Sequence, residues 1–91
     1  MAHLIRVSAE SNHYFLAERI AEALHNDDNL VLQAIGVKAV YQAVKASATA
    51  HNNLQPERSF CLLAEFVDVD IEGDIRTAIR FILRMHPNDA V

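Results

Sequence analysis

Glycine and proline are scarce in this chain, two of each in 91 residues, and tryptophan is absent. So few glycines exclude a glycine-rich phosphate cradle of the Walker type, and "IGVK" has neither its full loop nor its Lys-Ser/Thr ending. A single cysteine excludes an internal disulfide. Cys61 lies in the apolar run "FCLLAEF", where a buried reduced thiol is expected, in keeping with a cytoplasmic protein. Positive charge is also short: eight Lys and Arg face twelve Asp and Glu, a net charge of −4. No global positive field therefore draws the chain to nucleic acid, and any such binding must rest on a local basic strip. No run approaches the roughly 18 apolar residues of a membrane span. The opening "MAHLIRVSAE" has neither the charged head nor the apolar body of a secretion signal, so a soluble cytoplasmic protein is expected.

What is plentiful is apolar material, 52% of the residues against 22% charged. One small domain over residues 1–91 can build a core from it, although this length is near the lower limit for one. The surplus predicts a subunit contact, a homodimer or a tetramer. There is no internal repeat, low-complexity tract or long linker.

Hydrophobic periodicity predicts the order βαβαββ. "HLIRVSA" reads as a strand over residues 3–9, and in "ESNHY" either Ser11 or Asn12 caps the helix that follows. In that helix Leu16, Ile20, Ala23 and Leu24 share one side, and Glu18, Arg19, Glu22 and His25 share the other. "LVLQAI" is a strand covered on both faces. The next helix, residues 37–51, has a bulky face of Val37, Val40, Tyr41, Val44 and Ala48. Beside it runs a stripe of Ala39, Ala43, Ala46 and Ala50. Only a narrow strip, Lys38, Gln42, Lys45 and Thr49, stays polar, so two neighbours are expected, with the alanines facing either the first helix or a second subunit.

Pro56 in "HNNLQPE" stops this helix. Strands over residues 59–71 and 75–85 follow, joined by "EGD", and "HPNDAV" reads as a frayed tail, 86–91. In the last strand Ile75, Thr77, Ile79, Phe81, Leu83 and Met85 alternate with Arg76, Arg80 and Arg84. Setting Ile71 opposite Ile75 pairs Asp70 with Arg76 and Phe66 with Arg80. Phe60, Leu62, Ala64 and Phe66 then make the sheet face away from the helices apolar. The predicted fold is an α+β two-layer sandwich with both helices on one face of a mixed four-stranded sheet.

The candidate site lies where the second strand passes into its helix. Gly36 and Val37 would present unpaired backbone N–H groups at the positive end of the helix dipole, with Lys38 beside them. Such an end accepts phosphate or carboxylate, and glycine permits close approach. Gln42 and Lys45 extend polar contacts along the same strip. A glycine needed only for the turn is the plainer account. In "SAESNHY", Ser8, Ser11 and Asn12 offer further donors. Phe15 could stack on a base, but is expected to fold back under the loop. Arg76 has a carboxylate partner in the assumed register, whereas Arg80 and Arg84 are freer to meet a ligand. The carboxylates Asp68, Asp70, Glu72 and Asp74 do not form a calcium loop, the five histidines have no ligand spacing, and no catalytic grouping can be argued. No metal, cofactor or enzymatic activity is expected.

The stretches "RVSAES", "QAIGVKAVYQAVKA" and "FVDVDIEGDIRTAIRFIL" closely resemble the stage V sporulation protein S family, a bacterial group within the Alba superfamily. The resemblance runs from about Leu4 to Leu83. It implies an Alba-like domain, a link to sporulation and cell-division control, and a dimer that meets DNA or RNA through its strand-to-helix loops. Carried onto this chain, those loops are residues 8–12 and 36–38. Archaeal members also reach along a groove with basic hairpin arms, whereas this tip is acidic and would repel phosphates. Family members usually carry a lysine where Glu10 stands and a small residue where Lys38 stands.

Together these readings predict a non-enzymatic regulatory protein that binds nucleic acid weakly and without sequence preference. The residues expected to do so are Ser8, Ser11, Asn12, Gly36, Val37, Lys38, Gln42, Lys45, Arg80 and Arg84. The alternative is a protein-interaction regulator that uses the arginine row and the acidic hairpin of the same scaffold.

Overall fold

A computed structural model describes residues 2–26, 29–54 and 59–85. Its elements are β1 (Ala2–Val7), α1 (His13–His25), β2 (Asn29–Ala34), α2 (Val37–Asn52), β3 (Phe60–Ile71) and β4 (Asp74–Met85). The sheet order is β1-β2-β4-β3, with β1 and β2 parallel and β4 antiparallel to both of its neighbours. The expected βαβαββ order and mixed four-stranded sheet are therefore present. Pro56 and the segment 86–91 lie outside the described residues.

Alternation along the strands sets up the core. Ile5 and Val7, Leu30, Leu32 and Ala34, and Phe81 and Leu83 form one side of the sheet and are buried under the helices. Leu16, Ala17, Ile20 and Leu24 of α1 complete that layer. Each large aliphatic side chain buried there contributes on the order of 1.5–3 kcal/mol.

Helix α2 inverts the simplest expectation for an amphipathic helix. Its alanine stripe, Ala39, Ala43, Ala46 and Ala50, is buried, and α2 packs on α1 as well as on β1 and β2. Methyl groups allow that close approach, so the first helix, not a second subunit, accounts for the stripe. The bulky face is left outside: Val37 is 87% exposed, and Tyr41, Val44 and Ala48 are exposed with it.

The hairpin register differs by one residue from the expected pairing. Ile71 pairs with Asp74, not Ile75, because the turn is only Glu72–Gly73, with φ of 52° and 85°. Two positive φ values are the requirement of a tight type I′ turn, whose two-residue loop fixes the pairing. A shift of one residue moves each β3 side chain to the other face relative to β4. Asp70 therefore pairs with Ile75 and Phe66 with Ile79, while Val69 meets Arg76 and Glu65 meets Arg80. Phe60, Leu62, Ala64 and Phe66 consequently share the helix side of the sheet, where α2 reaches Phe60 through His51 but leaves Leu62, Ala64 and Phe66 exposed. Phe66 is 79% exposed.

Strand β2 pairs only with residues 79–83 of β4, so the rest of the hairpin projects beyond the sheet as an arm. Two twelve-residue strands span roughly 40 Å at about 3.3 Å per residue, in line with the 44 Å long axis. The arm leaves from the end of the sheet where β1 and β2 pass into their helices.

Candidate nucleic-acid interface

At the end of β2 the backbone of Gly36 takes φ 91° and ψ 159°, a region that side-chain-bearing residues rarely enter. A Cβ placed there would meet nothing within 4 Å. Backbone conformation, not crowding, therefore requires glycine, and the space beside it is open. Gly36 acts as the N-cap of α2 without a side chain to satisfy the helix amides, and the first helical carbonyl bond is Val40 N–H to Gly36 O at 3.0 Å. Gly36, Val37 and Lys38 are all exposed. The helix end thus offers free donors and a positive dipole terminus with the exposed Lys38 in its first turn.

The first loop is more fully committed. Asn12 caps α1, its Oδ1 accepting from Tyr14 N–H at 2.9 Å and Phe15 N–H at 3.3 Å. Of the two capping candidates it is the one used. Ser8 N–H donates to Ser11 Oγ at 2.9 Å, Ser11 N–H returns a bond to Ser8 O at 3.1 Å, and the two hydroxyls lie 3.3 Å apart. The serines brace one another and keep the spare hydrogen-bonding capacity of their hydroxyls. Phe15 does not fold back: it is exposed, because its place in the first turn points away from the face that carries Leu16 and Ile20.

Gln42 ties the first loop to α2, donating Nε2–H to Ala9 O at 3.4 Å, while its Oε1 is buried without a partner. Lys45 lies with its Nζ 5.6 Å from the centroid of the Tyr41 ring, a cation–π distance, and Thr49 Oγ1–H bonds Lys45 O. Lys38 and Lys45 are two turns apart on one exposed strip, about 10 Å along the axis.

Arg80 and Arg84 do not join this patch. They stand on the sheet face away from the helices, where Arg80 pairs with Gln33 and Glu65 and Arg84 pairs with Cys61. Arg76 shares that face and Asp70 does not, so the expected Arg76–Asp70 pair is absent. Asp70 Oδ1 instead accepts Gly73 N–H at 2.8 Å, and Asp68 accepts from Thr77. Cys61 is exposed, not buried, because β3 is an edge strand and this position faces the open side. Sequence reasoning missed Arg6, whose pairing with Gln33 puts it in the same rank as Arg80. The alternation of Leu4 and Arg6 against Ile5 and Val7 could have revealed it. No helix among the described residues is long and apolar enough to cross a membrane.

The chain is similar in structure to Alba from Thermoplasma volcanium, with a TM-score of 0.62 and 11% sequence identity. That match covers 93% of this chain and 100% of the other, and at such low identity it speaks for the fold alone. A model of the family described as stage V sporulation protein S matches residues 3–86. With the Alba-like topology, the glycine junction and the matched segment in hand, the chain belongs to the stage V sporulation protein S family.

Proposed function

We propose that this protein is a non-catalytic regulator that binds nucleic acid as a homodimer, holding backbone phosphates at its strand-to-helix loops. The observation that carries the reading is the exposed, uncapped start of α2, where the amides following Gly36 and the Lys38 ammonium lie together. Ser8 and Ser11 supply hydroxyls from the neighbouring loop, and the Gln42 bond to Ala9 O holds that loop against α2. These donors address phosphates and not base edges, so contact is weak and indifferent to sequence. Membership of the family, and the Alba resemblance of its motifs, favour nucleic acid over other polyanions. The acidic arm tip is kept off the duplex and does not follow a groove.

Binding of DNA and RNA oligomers across a salt series tests this. With two phosphates engaged per protomer, the dimer's log–log salt slope is expected at about −3.6. Lys38→Glu should abolish binding while leaving the circular dichroism spectrum unchanged. Binding that ignored salt, or survived Lys38→Glu, would overturn the reading. In that event the exposed Arg76 and Arg84 and the acidic hairpin tip favour a protein-interaction role for the scaffold.

A further inference from the structure

The sheet face away from the helices carries a second site. Arg6, Gln33 and Arg80 stand side by side across β1, β2 and β4, Gln33 pairing with both arginines. Neighbouring strands lie about 4.8 Å apart, so the two guanidinium stems arise within about 10 Å of each other. Residues at the arm's end border this rank. Val69 and Ile71 from the arm, with Leu4, Ile35 and Ser8, wall a trough of about 410 Å³ whose lining includes all three polar residues. That volume is in the range of small-molecule sites.

Every polar side chain of the rank offers donors. Arg80 is half-buried and gives its Nε–H to Gln33 Oε1 at 2.9 Å. Arginine can only donate, so this bond fixes the glutamine oxygen toward Arg80 and leaves the Gln33 NH₂ group to donate elsewhere. Gln33 is only 9% exposed. The Nη fork of Arg80 has no carboxylate at ion-pair distance among the described residues. Glu65, its cross-strand partner, is exposed and lies outside the trough. Asp70 also lines the trough, with its Oδ1 turned to Gly73 N–H at 2.8 Å and no ion pair to either arginine. Two neighbouring cations, one partly withdrawn from water, with an oriented fork and apolar walls, have no paired carboxylate among the described residues.

We infer that this trough binds a small organic acid, its oxyanion forked onto Arg80 and Arg6 and its apolar body lying against Leu4, Ile35, Val69 and Ile71. The oxyanion is a carboxylate or a phosphate monoester, which share the same fork geometry. The site shares Ser8 with the nucleic-acid reading but neither Lys38 nor the start of α2, which lie on the helix side of the sheet, so Lys38→Glu separates the two.

The test is a titration of the isotopically labelled full chain by NMR with hexanoate and with hexyl phosphate, using acetate and inorganic phosphate as headgroup controls. Saturable shifts at Arg6, Gln33, Arg80, Val69 and Ile71 are expected with at least one long-chain probe, and the tighter of the two identifies the headgroup. The headgroup controls should bind about tenfold more weakly or worse, because they leave the apolar walls unused. Arg6→Gln, at an exposed position, should weaken binding by about tenfold. Arg80→Lys keeps the charge but loses the fork and should also weaken it, whereas Lys38→Glu should leave it intact. Shifts that never saturate, scatter over the surface, or persist unchanged in both arginine variants would overturn the inference.

Discussion

Ile71 stands directly across from Asp74, with only Glu72 and Gly73 between them, and that pairing governs what each face of the arm presents. Glu72 holds φ 52°, a strained choice for a residue with a long side chain, while Gly73 at φ 85° is at ease. Asparagine tolerates positive φ far better, and Asn-Gly is the preferred pair for this turn. Glu72→Asn should therefore stabilise the arm by up to about 1 kcal/mol, near a fivefold slowing of amide exchange. Gly73→Val should do the reverse by about 1–3 kcal/mol. Hydrogen exchange at arm amides is the proper readout, since an arm can open without global unfolding. Unchanged exchange in both variants would contradict the assigned turn.

Gly36 makes a separable prediction because nothing crowds it. Gly36→Ala creates no clash, so its cost is that of forcing an L-residue to φ 91°, about 1–3 kcal/mol. Urea unfolding measures it. A loss near zero would mean that the junction relaxes and that glycine is retained there for access, not conformation.

At Gln42 a buried acceptor without a partner opposes a long bond to Ala9 O. Leaving the acceptor orphaned costs about 1–3 kcal/mol, whereas the bond contributes about 0.5–1.5 kcal/mol. Gln42→Met keeps the volume and removes both, so thermal unfolding should reveal a gain of about 1 kcal/mol. Nucleic-acid affinity should fall, because the bond that ties the first loop to α2 is lost. A clear loss of stability would mean that the inter-loop bond outweighs the orphaned oxygen.

The element order was legible because the two periodicities separate cleanly here. Leu16, Ile20 and Leu24 follow a helical spacing, and Ile79, Phe81 and Leu83 follow a strand spacing. The pairing of β3 with β4 was not legible, because "EGD" admits a two- or a three-residue loop and only the backbone angles of Glu72 choose between them. That choice misplaced Phe66 and supplied Arg76 with a false partner. The helix-end patch was readable from Gly36 and Lys38, which are local in sequence. The Arg6–Gln33–Arg80 rank was not, since it depends on three strands meeting in register across 74 residues of chain. Burial of the alanine stripe in preference to the valines could not be read from periodicity either. Both faces are apolar, and the close approach of α1 decides between them.

The uncovered apolar surface makes the last prediction. Along α2, Val37, Tyr41 and Val44 project outward, and on the same side of the sheet Leu62 and Phe66 of β3 lie bare. Ala34, Gly36, Val37, Val40, Phe66, Thr77 and Ile79 line one continuous groove between helix and arm, so ridge and bare strand adjoin and the contact runs up to the proposed phosphate-binding junction. A two-fold axis can set the ridge of one protomer into the bare corner of the other, satisfying both at once. Such a self-complementary contact buries the aromatic anchors at its centre, where truncation costs most. Tyr41→Asp with Phe66→Asp should therefore convert the protein to a folded monomer in sedimentation equilibrium. Arg84→Asp, on the opposite face, should leave the association state unchanged. Losing the dimer should also roughly halve the salt slope of nucleic-acid binding, since a monomer engages half the phosphates. A protein that remained dimeric with both charges in place would move the contact elsewhere and leave this corner without its proposed occupant.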